Sequence, residues 1–290
     1  MPHISSVGQI KEIMDRHSLI FHKGLGQNFL FDANYLNGIA DAGGISKDDT
    51  VVEIGPGLGV LTTRLAERAK RVIAVEIDKN IIPALKETVS EFPNVEIVNK
   101  DILKTDINEL TDGCESVKVV ANLPYYITTP IIMKLLEEGE NIESVTVMIQ
   151  KEVALRLAAK PGTKDYGAIT VAVNYYSDPE IKLTVPPGAF IPPPKVYSSV
   201  ITMKIREPEV TVCDEKLFFR VVKGAFGQRR KTLLNALSSA FPQISKETVK
   251  KIIASLGLDE KVRGETLSIA DFAALSDSFN AEMKKQGGNV

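Results

Sequence analysis

Four consecutive residues, Asn122-Leu123-Pro124-Tyr125, carry the groups best suited to chemistry in this chain. They follow a valine-rich apolar run over residues 117–121, which predicts a buried parallel strand. In open α/β sheets ligands bind just beyond the carboxyl ends of such strands, so we expect the tetrapeptide at a ligand-binding edge. The Asn122 side-chain oxygen and the Pro124 carbonyl could accept both hydrogens of a ring amine, and Tyr125 could stack on the ring. The alternative is a strand-ending turn with a core tyrosine.

A glycine-rich turn lies between two predicted strands earlier in the chain. Residues 51–54 predict a strand, residues 55–59 read Gly-Pro-Gly-Leu-Gly, and residues 60–70 predict an amphipathic helix. A second strand over residues 71–75 ends in Glu76. This is the βαβ arrangement of nucleotide-binding sheets, in which a carboxylate at the tip of the second strand accepts hydrogen bonds from the ribose hydroxyls.

The glycine spacing separates two classes of cofactor. The dinucleotide motif G-x-G-x-x-G needs a glycine at position 60, where this chain has Val60. Glu53, Gly55, Gly57 and Gly59 instead fit the E-x-G-x-G-x-G form that is typical of S-adenosylmethionine enzymes. We therefore predict S-adenosyl-L-methionine as the cofactor. A nicotinamide-dependent oxidoreductase is an alternative on the same fold, but the chain has no obvious hydride-transfer acid.

Two further segments supply candidate groups for binding a ring. Asp101 and Ile102 follow a predicted strand over residues 95–98. Asp101 could accept from the adenine amine of the cofactor while Ile102 packs on the ring, and a helix cap is the alternative role for Asp101. The proline-rich loop over residues 186–196 contains one aromatic residue, Phe190, which we predict to be a second stacking plate. A buried core position is the alternative for Phe190.

Predicted strands and helices alternate to about residue 205, after which only helices are predicted. Further strands are expected at residues 144–149, 181–185 and 197–205, and C-terminal helices at residues 217–226, 231–241, 246–256 and 269–281. We predict an α/β fold: a Rossmann-like methyltransferase domain with a mostly parallel seven-stranded sheet, followed by a small all-α C-terminal domain. The first domain is expected over residues 1–208, with an N-terminal arm over 1–23, and the second over 209–290.

Bulk composition narrows the class of protein. The chain has 290 residues, of which 44% are hydrophobic and 25% charged, as in ordinary globular proteins. It has neither an apolar run of ~20 residues nor a signal-peptide core, so we expect a cytoplasmic protein without membrane contact. Cys114 and Cys213 lie far apart without metal-ligand spacing, and we predict neither a disulfide framework nor a metal site.

Charge is distributed unevenly along the chain. The net charge is −2, yet residues 209–290 carry 13 lysines and arginines against 10 acids. The densest basic cluster lies between two predicted C-terminal helices, where it could contact backbone phosphates, and a solvated helix cap is the alternative. The predicted RNA-binding residues are Lys23, Lys195, Arg229, Arg230 and Lys231.

Several motifs together resemble the ribosomal RNA adenine dimethyltransferases, most closely those of the small subunit. The resemblance runs in order, with the expected spacings, from about residue 20 to the helical end. It is carried by residues 26–30, residues 53–59, Glu76, Asp101, the Asn122-Leu123-Pro124-Tyr125-Tyr126-Ile127 segment and residues 190–196.

This resemblance implies the reaction and its residues. The family transfers methyl groups from S-adenosylmethionine to N6 of two adjacent adenines near the 3′ end of small-subunit rRNA, so the expected partner is that rRNA in a pre-ribosomal particle. We expect a monomer. The expected cofactor-binding residues are Gln27, Asn28, Leu30, Gly55, Gly57, Glu76, Ile77, Asp101, Ile102 and Asn122. The expected target-adenine pocket consists of Asn122, Pro124, Tyr125 and Phe190.

Two alternatives share this resemblance. A large-subunit rRNA dimethyltransferase of the antibiotic-resistance type would have the same catalytic motifs and a different RNA. A mainly non-enzymatic assembly factor would bind the ribosome without depending on methylation.

Overall fold

The computed structural model describes residue 4 and residues 6–20, 28–228 and 230–287. The chain divides into two compact units. The first consists of Met1–Ala154 and Ser177–Arg206, and the second of Leu155–Tyr176 and Glu207–Val290.

A seven-stranded sheet is the framework of the first unit. The strands of this unit are β1 (Phe29–Leu30), β2 (Thr50–Ile54), β3 (Arg71–Glu76), β4 (Val95–Asn99), β5 (Val117–Asn122), β6 (Ile142–Gln150), β7 (Ser177–Val185), β8 (Phe190–Ile191) and β9 (Ser198–Ile205). The sheet order is β4-β3-β2-β5-β6-β9-β7. The first five of these strands are parallel, and β9 pairs antiparallel with both β6 and β7. The predicted mostly parallel seven-stranded sheet is therefore confirmed.

Burial along the strands follows their position in the sheet. In β2 and β3 every residue after the first is buried, as expected for parallel strands that helices cover on both faces. Strand β7 lies at the edge and has exposed positions along its length. It contains Pro179 and Lys182, which are residue types that suit an edge strand because they discourage pairing with another chain.

Helices of the first unit pack onto this sheet. They are α1 (Val7–Arg16), α2 (Ala33–Ala42), α3 (Val60–Ala66), α4 (Ile82–Thr88), α5 (Ile107–Leu110), α6 (Thr128–Glu138) and the part of α7 (Lys151–Leu157) up to Ala154, the rest of which belongs to the second unit. Buried side chains such as Ile10, Leu36 and Leu65 bring α1, α2 and α3 into one core with the strand residues Val72 and Met148. This core holds the carboxyl ends of the strands in fixed positions.

The second unit is helical, which confirms the predicted helical C-terminal region. Its helices are α8 (Ala168–Tyr176), α9 (Glu215–Phe226), α10 (Leu233–Ala240), α11 (Lys246–Ser255) and α12 (Ile269–Gly287). Phe218, Phe241, Phe272 and Phe279 are fully buried in its core.

One part of the predicted domain division differs from the structure. Residues 155–176 were expected in the first domain, yet they belong to the second unit. The Tyr166 hydroxyl donates to the Leu267 carbonyl at 2.8 Å, and the Tyr175 ring lies 4.9 Å from that of Phe218. The apolar face of α8 is thus buried among C-terminal side chains, which the order of elements along the chain does not reveal.

Candidate active site

A cleft with a volume of about 150 Å³ opens beyond the carboxyl ends of β2, β3, β4 and β5. The order of strands reverses between β2 and β5, and such a switch point is where open α/β sheets bind ligands. The predicted site residues that line the cleft are Asn28, Leu30, Gly55, Gly57, Glu76, Ile77, Asp101, Ile102, Asn122, Pro124 and Tyr125. Gln27 lies outside the described residues.

Three glycines shape the loop after β2. Gly55, Gly57 and Gly59 have φ angles of +69°, +57° and +81°, a region that other L-residues rarely adopt. A Cβ atom at Gly55 would meet nothing within 4 Å, so the backbone there is open to a ligand. By contrast, a Cβ atom at Gly57 would lie 3.0 Å from Cε1 of Phe29, and one at Gly59 would lie 2.8 Å from Cδ1 of Leu85. The loop is therefore open to a ligand at Gly55 and closely packed against side chains at Gly57 and Gly59.

Glu76 ends β3 with a buried carboxylate that is 6% exposed. Its Oε2 accepts from the Gly57 N–H at 3.1 Å, and its Oε1 accepts from the Asp78 N–H at 2.8 Å. Burial raises the pKa of Glu76, and these backbone N–H groups oppose that rise. Because each carboxylate oxygen can accept about two hydrogen bonds, each keeps acceptor capacity for a ligand hydroxyl.

Asp101 follows β4 and has two roles. Its Oδ1 accepts from the Leu103 N–H at 3.0 Å and caps the short 3₁₀ turn Ile102–Lys104, so the cap interpretation is correct. Asp101 also lines the cleft, together with Ile77 and Ile102. The two isoleucines offer apolar surface to a flat ring, and the carboxylate offers an acceptor beside it.

Glu53 is a buried acid at the same cleft. It is fully enclosed in β2, and burial raises its pKa to about 8. Among the described residues its Oε2 has no hydrogen-bond partner. A buried polar atom without a partner beside a cleft is a group that a bound ligand can satisfy.

Asn122 ends β5 with its side-chain amide held in place. Its Nδ2 donates to the Asn28 carbonyl at 3.3 Å, which directs the acceptor Oδ1 to other partners. The following residue, Leu123, is buried, and its N–H donates to the Met148 carbonyl at 3.2 Å. The sheet hydrogen bonding therefore extends one residue past the end of β5, and Pro124 and Tyr125 lie in the turn that follows.

The Pro124 carbonyl is already engaged. It accepts from the Ile127 N–H and from the Thr128 hydroxyl, both at 3.2 Å. The sequence predicts this carbonyl as an acceptor for a target amine. Because a carbonyl has two lone pairs, such an amine would have to replace one of the two donors, and the Thr128 hydroxyl can rotate whereas the backbone N–H cannot.

Tyr125 is anchored through its hydroxyl. That hydroxyl lies 2.8 Å from the Oγ of Ser198, a fully buried residue at the start of β9. Burial raises the pKa of Tyr125, so the phenol is protonated at neutral pH. The bond fixes the far end of the ring while its near end lines the cleft.

Phe190 is not brought to the cleft, and its alternative interpretation as a core residue describes its position. It is 3% exposed and packs in the core of the first unit. It pairs with Leu30 across the β1–β8 ladder, and the Phe31 N–H donates to the Ala189 carbonyl at 3.1 Å. This backbone pairing holds the segment so that the ring faces inward.

The predicted RNA-binding residues lie on the surface wherever they are described. Lys195, Arg230 and Lys231 are exposed, and none of them forms an ion pair with another described residue. Arg230 and Lys231 lie in the connection between α9 and α10, as expected. Lys23 and Arg229 lie outside the described residues.

Three supporting residues were not predicted. Thr128 and Ser198 contact the tetrapeptide, and the Asn99 side chain donates to the Glu76 carbonyl at 2.7 Å. Asn99 pairs with Glu76 in the sheet, so a prediction of which residues of β3 and β4 lie opposite each other would have identified it. The sequence carries no comparable signal for Ser198, which is distant along the chain.

The part of the chain that the structure describes also bears on metal sites, thiols and membrane-spanning helices. Within it, no group of three His, Cys, Asp or Glu side chains is arranged to hold a metal ion. Cys114 and Cys213 are free thiols. No described helix has the length and apolar character required to cross a bilayer.

Sequence comparison supplies an independent finding. The family model for ribosomal RNA adenine dimethylase matches residues 19–280. The protein named ribosomal RNA small subunit methyltransferase A from Alkaliphilus oremlandii is 52% identical, over 96% of this chain and 99% of its own length. The protein of the same name from Geobacillus kaustophilus is 51% identical, over 95% of this chain and 97% of its own.

Solved structures agree with the sequence relatives. A dimethyladenosine transferase from Plasmodium falciparum superposes with a TM-score of 0.74 at 27% identity, covering 89% of this chain and 98% of that one. The 23S rRNA methyltransferase ErmE superposes with a TM-score of 0.67 at 28% identity, covering 87% of this chain and 100% of that one. The chain belongs to the ribosomal RNA adenine dimethylase family.

Proposed function

We propose that the chain transfers methyl groups from S-adenosyl-L-methionine to N6 of two adjacent adenines near the 3′ end of 16S rRNA, giving N6,N6-dimethyladenosines. Membership of the family gives the reaction class, a methyl transfer to ribosomal RNA adenine. The observation that carries the small-subunit assignment is the 52% identity, over almost the whole chain, to a protein named for the small subunit. The 23S enzyme ErmE is 28% identical.

The cleft residues fit the cofactor. When bound, S-adenosylmethionine supplies a methyl group on a positively charged sulfur. Glu76 would accept from the ribose hydroxyls with the acceptor capacity that each of its oxygens retains. Asp101 would accept from the adenine amine, with Ile77 and Ile102 against the ring. Open space above Gly55 leaves room for a ligand to approach the backbone.

The target amine needs orientation, because the N6 lone pair of adenine is delocalised into the ring. Asn122 Oδ1 and the Pro124 carbonyl would accept the two N6 hydrogens, favouring a pyramidal nitrogen whose lone pair points out of the ring plane. The bond from Asn122 to Asn28 presets the first acceptor, and rotation of Thr128 would release the second. Correct positioning of reactants can contribute roughly 7 to 11 kcal/mol. No strong base is required, because the N6 proton becomes acidic only as the N–C bond forms. The proton can leave to solvent after the N–C bond has formed.

Aromatic side chains would hold the target base. Tyr125 would stack on one face, and its ring near a positive charge would add a cation–π attraction of about 0.5 to 2 kcal/mol. Phe190 would provide a second face only if its segment moved away from β1. Since a base must leave its stack to enter such a pocket, an unpaired loop or flexible junction is the expected substrate.

The biological setting follows from this substrate. We infer that the protein acts in the cytoplasm, as a monomer, on small-subunit rRNA in a pre-ribosomal particle. The helical region over residues 209–290 would contact the rRNA, with Arg229, Arg230 and Lys231 on backbone phosphates. Lys23 and Lys195 would add phosphate contacts from the rest of the chain.

Transfer of labelled methyl groups tests the choice of RNA. We expect transfer to immature small subunits and little transfer to protein-free large-subunit rRNA. The opposite preference would assign the chain to the ErmE type of activity. An Asn122→Ala variant that binds rRNA separates catalysis from assembly: if it restored normal ribosome maturation in cells lacking the protein, the non-enzymatic role would be favoured.

A further inference from the structure

Large apolar side chains are exposed at only six described positions, two of which line the cleft. Among the described residues they are Ile20, Ile77, Tyr126, Leu155, Val196 and Tyr197. Ile77 and Tyr126 line the cleft itself. Val196 and Tyr197 directly precede Ser198, whose hydroxyl bonds to that of Tyr125. Two exposed tyrosines therefore adjoin, in sequence, the two residues that this bond joins.

Both tyrosine rings project from backbone that is held in place. Tyr126 lies in the turn that the Ile127 N–H closes onto the Pro124 carbonyl. The Tyr197 carbonyl accepts from the Lys151 N–H at 2.9 Å, and β9 begins at the next residue. Nevertheless the two side chains are 63% and 54% exposed. Neither hydroxyl forms a hydrogen bond with another described residue, so no such bond explains why either residue is a tyrosine.

Charge next to these rings indicates the chemistry of a partner. Lys195 is exposed, has no ion pair with another described residue, and lies two residues before Tyr197. Unpaired bases stack on tyrosine rings, and a nearby ammonium group suits the phosphate that joins them.

We propose that Tyr126 and Tyr197 form a stacking platform for the unpaired nucleotides that flank the target adenine, with Lys195 on their phosphate. This proposal rests on the proposed function, because that function brings single-stranded RNA to the cleft. The two target adenines are adjacent, so one can occupy the pocket while its neighbour stacks on the platform. Loss of the platform should therefore weaken RNA binding and the methylation of both positions in one particle.

Binding of a short RNA tests the platform. The probe is a fluorescent single-stranded oligonucleotide with two adjacent adenines, compared by anisotropy with the same sequence in a duplex. We expect Tyr126→Ala and Tyr197→Ala each to raise the Kd for the single strand about tenfold, in the range for loss of one base stack. Tyr126→Phe and Tyr197→Phe keep the ring and should keep wild-type affinity. Leu155→Ala removes an exposed apolar side chain that does not line the cleft, and should have no effect.

Two results would overturn the platform. One is wild-type affinity of both alanine variants for the single strand, and the other is an equal loss of duplex binding, which would indicate general misfolding or electrostatics. Failure of the proposed function gives a different pattern: the wild-type protein would bind the oligonucleotide but transfer no methyl group to small subunits. Calorimetry with S-adenosylmethionine on Tyr197→Ala checks that the cofactor site is intact, since Tyr197 does not line the cleft.

Discussion

The hydroxyl of Tyr125 lies 2.8 Å from the Oγ of Ser198. Tyr125 follows β5 and Ser198 begins β9, so this bond joins the candidate catalytic loop to a strand that is distant along the chain. The buried serine fixes the ring that we propose to stack on the target adenine.

Replacing this serine should loosen the ring. We expect Ser198→Ala to lower kcat for methyl transfer several-fold, because a hydrogen bond of this kind contributes about 0.5 to 1.5 kcal/mol. KM for S-adenosylmethionine should change little, since Ser198 does not line the cleft. Steady-state kinetics with small subunits gives both values.

Ser199 is a matched control for this change. It is the next residue of β9, it is equally buried, and its hydroxyl has no hydrogen-bond partner among the described residues. Ser199→Ala should leave kcat unchanged and should not lower stability, because it removes an unsatisfied buried hydroxyl. Equal losses of kcat in Ser198→Ala and Ser199→Ala would contradict a specific role for the bond.

Glu76 should determine cofactor affinity. In Glu76→Gln one carboxylate oxygen becomes an NH₂ group, which would face the N–H of Gly57 or of Asp78. Loss of hydrogen bonds to a charged acceptor costs about 1.5 to 3 kcal/mol, so we expect S-adenosylmethionine to bind roughly ten- to a hundredfold more weakly. Calorimetric titration measures this change. Glu96→Gln is the control, because Glu96 forms an ion pair with Arg71 and does not line the cleft.

Most of the framework of this site could be predicted from sequence because its signals are local. The apolar runs of β2, β3 and β5 and the glycines between β2 and α3 place Glu76 and Asn122 at one edge of a sheet. Their side chains do line one cleft in the structure. Asp101 was predicted both as a ligand and as a cap, and its position is compatible with both roles.

The features that sequence did not predict depend on contacts between distant segments. Strand β1 has two residues and exists because it pairs with β8, and the same pairing turns Phe190 into the core. Residues 155–176 precede the predicted strand over residues 181–185, so their place along the chain predicts the first domain, whereas Tyr166, Val171 and Tyr175 are buried with residues of the C-terminal helices. The hydrogen bond from the Thr128 hydroxyl to the Pro124 carbonyl joins residues that are close along the chain, but composition alone does not show which hydroxyl donates to a given carbonyl.

Glu53 should make stability depend on pH. Its folded-state pKa of about 8 lies above its ordinary value of 4.5, so the unfolded chain releases this proton first as pH rises. The free energy of unfolding should therefore fall between about pH 4.5 and pH 8. The Gln side chain of Glu53→Gln cannot ionise. The free energy of unfolding of this variant should therefore increase relative to that of the wild type as pH rises from 5 to 8. Chemical denaturation at several pH values measures this difference, and a constant difference would show that the carboxyl is not perturbed.

The glycine loop should tolerate no side chain at Gly59. Its φ is +81°, and a Cβ atom there would lie 2.8 Å from Leu85, so we expect Gly59→Ala to destabilise the fold by about 1 to 3 kcal/mol. Gly188→Ala is the control, because its Cβ would meet nothing within 4 Å and its φ is not positive. That change should be neutral or stabilise by up to about 1 kcal/mol. Thermal unfolding compares the two variants, and similar melting temperatures would argue against strain at Gly59.

Mass spectrometry of small-subunit rRNA, after incubation of immature subunits with the purified protein and S-adenosylmethionine, tests the proposed reaction most directly. We expect two adjacent adenines near the 3′ end to carry two methyl groups each, and we expect neither to be modified by Asn122→Ala. Unmodified adenines with the wild-type protein, or methylation confined to large-subunit rRNA, would contradict the proposed function.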